Sequence, residues 1–379
     1  MKHYIIIITL IVFTTFSAFG QYSKELEKDA QKGDPVAQAN LGACYYYGNG
    51  VRQDISEAKI WLWRAAIRDL APAQNLLANI CFDEQDYEQA AEWYKKAANL
   101  NLPEAQLSLG ACYENGFGVN RDIDEAIIWY KKAAKQNIPQ AQFVLGLWCR
   151  DGWGANFAKN KNIHEAIYWL RKAAEHDIAE VQNALGICYI KIEPKDYEQA
   201  IFWFQKAAES GYAKAQYNLG GMFSRGSGVN QDYQQAVYWL KKAADQNIIE
   251  AKYELGRCYY NHNDFMNALN LFSTVYDECK KREEDNLKKC ASQIIGIMHY
   301  NGEGVPQNIK KAFLYLKYGI EDGAITLSDD FGGQALHLLS TCYRFGYGTE
   351  KDIEKSDHLL QLAAHDGNSN AKMVLRLLE

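Results

Sequence analysis

Cysteine, histidine and paired glycines are the residues of this chain whose types could carry chemistry. Nine cysteines would serve a disulfide framework, a metal centre or a nucleophile, and eight histidines would ligate a metal or act as general bases. Their spacing supports none of these uses. No His-Glu-x-x-His pattern occurs, and His358 and His365, seven apart on one helix face, are too far separated to hold one ion. No Gly-x-Ser-x-Gly elbow, Ser-His-Asp grouping or convergent carboxylate pair stands out. Gly48-Asn49-Gly50 and its copies are not phosphate loops: such glycines follow a strand and open a helix, whereas these lie between two helical segments and recur in six units. The expectation is therefore a non-enzyme without cofactor or metal.

The cysteines fall into two groups. Cys44, Cys112, Cys188, Cys258 and Cys342 share one repeated position, and Cys81 and Cys149 fall one residue later. Equivalent positions on stacked helices are ~9–10 Å apart, whereas a disulfide needs Cα atoms within ~7 Å. These seven are expected to be small buried core residues. Cys279 and Cys290 lie outside that position and flank the charged run Lys280 to Lys289. A bridge between them would close a charged loop and contribute ~2–3 kcal/mol; the alternative is two unrelated thiols.

The elements that position these residues are written as a repeat. The first unit reads Ala37-Gln38-x-x-Leu41-Gly42-x-x-Tyr45, then Gly48-x-Gly50-Val51, Asp54-x-x-Glu57-Ala58, Trp61 and Ala65-Ala66. Its leading residue returns at Ala73, Ala105, Ala141, Val181, Ala215, Ala251, Ala291, Ala335 and Ala371, at spacings of 32 to 44 residues, enough for two helices and two turns. Ala, Leu and Tyr four apart share one face of the first helix, and Ala58, Trp61 and Ala65 one face of the second. A glycine inside a helix costs ~1 kcal/mol relative to alanine, so the glycine after the leucine implies close approach of a neighbour. Asp54-x-x-Glu57, Asp122-x-x-Glu125 and Asp232-x-x-Gln235 read as capping boxes. Lys95-Lys96, Lys131-Lys132, Arg171-Lys172 and Lys241-Lys242 complement the dipole at the other end.

The pattern A-x-x-x-L-G-x-x-Y, G-x-G-V-x-x-D, E-A-x-x-W-Y-x-K-A-A resembles Sel-1-like repeats, relatives of the tetratricopeptide repeat. The match runs from about Asp34 to Glu379 and is fullest from Gly116 to Ala134. The resemblance implies an all-α fold, a right-handed α-solenoid of about nine helix-turn-helix repeats that binds partners along a concave groove. Units two, five and seven lack the Gly-x-Gly turn, unit four enlarges it, and the motif fades from unit seven onward. The expected organisation is a signal peptide (1–20), a lead-in helix (21–33), seven repeats (34–276), a charged junction (277–289), two divergent repeats (290–368) and a capping helix (369–379).

Composition agrees. A 48% hydrophobic content supports a continuous core, and the mild net charge of −6 gives no reason to expect nucleic acid. Lys2 and His3, the apolar run Tyr4 to Phe16 and the small residues before Gln21 describe a secretory signal peptide cut after Gly20, with no membrane span in the mature chain. A secreted or periplasmic location follows as an expectation.

By analogy with tetratricopeptide units, groove-facing side chains come from the first helix. Those positions hold Tyr46, Tyr47, Phe143, Arg150, Asn183, Tyr217, Arg225, Tyr253, Arg257, Tyr260 and Tyr300. Tyrosine and arginine often dominate interface energetics. A protein or peptide partner leads; a glycan or peptidoglycan stacked on the tyrosines is the alternative. A hydrolase acting on envelope or β-lactam substrates comes third, by analogy with some secreted relatives, and this sequence offers it no nucleophile.

Overall fold

A computed structural model describes residues 21–152, 161–282, 285–320 and 331–378. The expected signal peptide lies outside them, as do most of the enlarged fourth turn and of the junction after residue 320. Among the described residues there are twenty helices and no strand, forming an all-α solenoid of helix pairs. A lead-in helix α1 (Lys24–Gln31) precedes α2 (Pro35–Tyr47), α3 (Ile55–Ala66), α4 (Ala71–Asp83), α5 (Tyr87–Asn99), α6 (Pro103–Asn115), α7 (Ile123–Lys135), α8 (Pro139–Asp151), α9 (Ile163–Ala174) and α10 (Ala179–Lys191). There follow α11 (Tyr197–Glu209), α12 (Ala213–Arg225), α13 (Tyr233–Asp245), α14 (Ile249–Asn261), α15 (Phe265–Arg282), α16 (Asp285–Asn301), α17 (Ile309–Ile320), α18 (Gly332–Phe345), α19 (Ile353–His365) and α20 (Ser369–Leu378). The chain divides into two compact units, Met1–Ala200 and Ile201–Glu379.

Where the Gly-x-Gly turn is present, the first helix of a pair ends on a left-handed glycine, as at Gly48, Gly116, Gly226, Gly302 and Gly346. Gly48 and Gly116 have φ near +75°, and their N–H groups donate to the carbonyls of Cys44 and Cys112. The second helix starts on an aspartate whose side chain accepts from the third helical N–H, as Asp54 does from Glu57 at 3.0 Å. The expected capping box closes only halfway. The Asp54 N–H already donates to the Tyr45 carbonyl at 3.0 Å, so Glu57 turns to the Trp61 indole instead, accepting at 3.2 Å. Asp122 and Tyr113 repeat the first of these contacts at 2.9 Å. This bond closes the turn between the two helices.

The pair is held by one knob and one hole. The residue after the tryptophan slot, which Tyr315 fills in α17, drops onto the glycine of the first helix: Leu62 on Gly42, Tyr130 on Gly110 and Leu170 on Gly146 in the first unit, Leu240 on Gly220 and Leu316 on Gly296 in the second. These knobs are among the most deeply buried side chains, deeper than the tryptophans. The tryptophans cover them from outside, and a cation from the next turn lies over the indole, as Lys132 does over Trp129 at 3.7 Å.

Successive pairs are tied by the glutamine of the Ala-Gln motif. Second helices end on a left-handed Asp, Asn or Gly at Asp69, Asn101, Asn137, Asp177, Gly211, Asn247 and Gly367. Where the next first helix carries the motif, its buried glutamine reaches back to a carbonyl at that terminus, as a second donor beside the N–H of the left-handed residue: Gln38 to Ala30 (3.1 Å), Gln74 to Ala66 (2.9 Å), Gln142 to Ala134 (3.1 Å) and Gln216 to Ala208 (3.1 Å). Gly-x-Gly turns add a second clamp. A Cβ on Gly118 would lie 1.9 Å from the Tyr87 carbonyl oxygen, so the turn presses directly on the preceding second helix.

The divergent C-terminal repeats still pack. Phe272, Ile294, Met298, Phe313, Leu316, Leu339 and Leu360 belong to one buried cluster. Around the charged run, α15 and α16 are 18 and 17 residues long, against 12 to 14 in the other paired helices, so its described residues are helical. Cys279 is buried in that cluster and Cys290 packs against it. The seven repeat-slot cysteines are all buried, as expected.

Two outcomes follow. Gly146→Ala would place a methyl 2.5 Å from Leu170 Cγ, whereas at Gly221 the obstacle is the mobile end of Arg225. Overpacking costs ~1–3 kcal/mol and outweighs the ~1 kcal/mol of helix propensity gained. Urea denaturation should therefore show Gly146→Ala destabilised and Gly221→Ala stabilised. Burial pushes the thiols of Cys112, Cys149 and Cys188 up to about 12, from an ordinary value of 9.0. The unfolded chain loses these protons first, so stability is intact below pH ~9 and declines toward pH ~12. The combined Cys112→Ala, Cys149→Ala, Cys188→Ala variant should lose part of that alkaline decline.

Candidate functional site

The first-helix positions singled out above separate by burial. Tyr46, Asn183 and Tyr253 are only 8%, 6% and 5% exposed. Tyr46 donates to Asp83 at 3.0 Å, and Tyr253 meets Phe272 edge to face. These three pack the solenoid and leave little side chain for a partner. Tyr47 and Phe143 are half-buried; Tyr47 lies edge to face with Tyr46 at 4.8 Å. Arg150 makes a two-pronged contact with its neighbour Asp151 at 2.6 and 2.8 Å, and Lys191 lies 4.0 Å from the same carboxylate.

In the second unit several of the positions converge. Glu254 on α14 lies between Arg225 from α12, at 4.0 Å, and Arg257 one turn along its own helix, at 3.6 Å. Tyr217 stands in the field of all three; burial first, then Glu254, raises its pKa. Arg257 also lies over the Phe331 ring at 5.9 Å, and Tyr260 meets that ring edge to face at 5.2 Å. The Tyr260 hydroxyl donates to Glu303 at 2.8 Å. Arg225 is the most exposed member. Tyr300 is half-buried against the neighbouring core cluster and its pKa is raised by burial.

This arrangement suits recognition. The carboxylate already engages two guanidinium groups, and the tyrosines carry raised pKa values that keep them neutral hydrogen-bonding phenols at physiological pH. Among the described residues no cluster of three or more His, Cys, Asp or Glu side chains could hold a metal ion. The depression beside Gly116 and Gly118 is lined by Asp86 and Glu88, which would repel a phosphate. No helix among the described residues is long and apolar enough to cross a membrane.

Sequence reasoning missed two structural roles and one surface. The inter-repeat glutamines were visible as Ala-Gln pairs at five of the leading positions, but their target carbonyls are fixed only in three dimensions. The knob after the tryptophan was masked by its variation between Leu, Tyr and Phe. The surface is the outward face of α3, where Ile60, Trp63 and Ile67 are all exposed. Its signal was a departure from the repeat at Trp63.

Comparison with known proteins agrees with this geometry. The Sel1 repeat family matches residues 35–69, 71–102, 103–138, 139–178, 179–212, 213–248, 249–261, 294–323 and 333–368. A 98-residue stretch is 34% identical to the ERAD-associated E3 ubiquitin-protein ligase component HRD3B of Arabidopsis thaliana, covering 26% of this chain and 16% of that protein. A 95-residue stretch is 32% identical to the uncharacterized protein NMB1327 of Neisseria meningitidis serogroup B, covering 25% and 20%. The chain thus spans a fifth or less of these relatives' length. Among solved structures, a Sel1 repeat protein from Oxalobacter formigenes is 25% identical, with a TM-score of 0.50 over 97% of this chain and 93% of that one. Sel1 repeat proteins are in general non-catalytic protein-interaction scaffolds. The nine matches span most of the sequence, and the chain belongs to the Sel1 repeat family.

Proposed function

We propose that this chain is a non-enzymatic extracytoplasmic scaffold that binds a protein or peptide partner through first-helix side chains of its second unit. The observation that carries this reading is the convergence of Tyr217, Arg225 and Arg257 on Glu254, with Tyr260 one turn beyond Arg257. Planar guanidinium groups beside phenols supply apolar contact area and directed hydrogen bonds together. The apolar leader before Gln21 supports the extracytoplasmic part.

The test is cross-linking capture from extracytoplasmic extract with the mature protein and with a Tyr217→Ala, Arg225→Ala variant. Tyr253 is left intact because its removal would open the core. A protein recovered by the wild type and lost with the variant, at unchanged helicity, supports the reading. Equal recovery by both would place the partner elsewhere.

An oxidising location bears on Cys279 and Cys290, which meet the same core cluster from α15 and α16. We propose that they bridge in the exported protein. Secreted material should begin at Gln21, and alkylation under denaturing conditions should label this pair only after reduction. Labelling before reduction would show two thiols.

A further inference from the structure

The helical repeat supplies its own control for what a second helix needs. On the outward face of α3, Ile60, Trp63 and Ile67 follow one another at helical spacing and are 46%, 52% and 53% exposed. Trp63 and Ile67 stand where later second helices carry Lys95 and Asn99, Lys131 and Lys135, Arg171 and Glu175, Gln205 and Glu209, and Lys241 and Asp245. Five sibling helices keep the same fold with polar residues at both positions. Packing within the solenoid therefore does not require the indole of Trp63 or the side chain of Ile67.

Trp63 and Trp93 both line a cleft of about 440 Å³ between the first two repeats, together with Leu77 and Cys81. Trp93 is half-buried, as are Trp61 and Trp203 in the same slot. The volume accommodates one large side chain with its flanking backbone. The only charged residues lining the cleft are Lys59 and Arg64, both basic. Lys59 is engaged by Glu84 at 2.7 Å, and Arg64 lies over the Trp61 ring at 4.6 Å, so its charge remains available to an incoming anion.

We propose that the Trp63–Trp93 cleft is a docking site for a partner protein segment that presents one large apolar side chain beside a carboxylate. The apolar anchor is desolvated between the indoles, and the carboxylate meets Arg64 at the rim, the arrangement in which a tryptophan and an arginine carry most of an interface's affinity. Lys59 and Gln89 are already partnered, by Glu84 and Asp86 at 2.7 Å each, so Arg64 stands as a single cationic donor and not as a set of donors and acceptors for sugar hydroxyls. This site uses a second-helix face and is separate from the Tyr217–Arg225 surface.

The experiment is selection of a random heptapeptide library on the intact mature protein, followed by calorimetry of the enriched peptides against Trp63→Lys and Arg64→Glu. Lysine is the residue three sibling helices carry at this position, so Trp63→Lys preserves the fold. Enriched peptides should pair a large apolar residue with Asp or Glu. Their affinity should fall at least about tenfold in Trp63→Lys and fall also in Arg64→Glu, while Tyr217→Ala, Arg225→Ala binds them unchanged. Absence of enrichment, a basic consensus, or equal binding by Trp63→Lys overturns the proposal. A wild-type dimer that Trp63→Lys disperses, or displacement of the peptides by an oligosaccharide, would overturn it in favour of those occupants.

Discussion

In most helix pairs the architecture depends on the absence of one methyl group. Where the first helix carries glycine after its leucine, the second helix drops a leucine, tyrosine or phenylalanine into the space, to distances at which a Cβ would collide. Glycine is among the worst residues for an isolated helix, by ~1 kcal/mol against alanine. Its presence here is explained by tertiary packing, since close approach lets the knob bury completely and make many dispersion contacts. Where the glycine is replaced, the substitute stays small: Ala78 faces the Tyr94 pair and Ser340 the Leu360 pair.

The second constraint is polar and acts between pairs. A helix leaves its last carbonyls without intrahelical partners, and in a stack those carbonyls are buried under the next repeat. The left-handed residue after the helix donates to one of them, and the glutamines at 38, 74, 142 and 216 each add a second bond to that same carbonyl from the next repeat. In two places the chain of bonds extends further, because Gln136 donates to Gln106 at 2.9 Å and Gln246 to Gln216 at 2.8 Å. An apolar knob inside each pair and an amide tie between pairs make stability a sum of repeat and nearest-neighbour terms. Between α14 and α16 such a tie gives way to longer helices, and Ser292 and Gln293 turn instead to the carbonyls of Tyr315 and Gly319 within their own pair.

Much of this was legible in the residues. The period, the aspartate caps, the turn glycines and the burial of the seven repeat-slot cysteines all follow from local chemistry that repeats along the chain. Capping boxes were half right, because nothing local to Asp54-x-x-Glu57 reveals that Tyr45 will take the Asp54 N–H. First-helix positions were harder to read. Tyr46 and Tyr253 carry interface-type side chains at analogous positions, yet neighbouring repeats enclose them, whereas Arg225 remains exposed. Whether a tyrosine in a stack faces a partner or the next repeat is decided by the neighbour, which a single repeat does not encode. Departures from the repeat proved more informative than the repeat itself, as Trp63 shows.

The most direct test of the knob-and-hole account is a double-mutant cycle at Gly146 and Leu170, read by urea denaturation. If close approach of Leu170 is the reason for the glycine, Gly146→Ala is destabilising in the wild-type background and neutral or stabilising once Leu170→Ala has removed the colliding atoms, with a coupling well above ~0.5 kcal/mol. An equal penalty in both backgrounds would contradict the account and assign the glycine to some other requirement of the backbone.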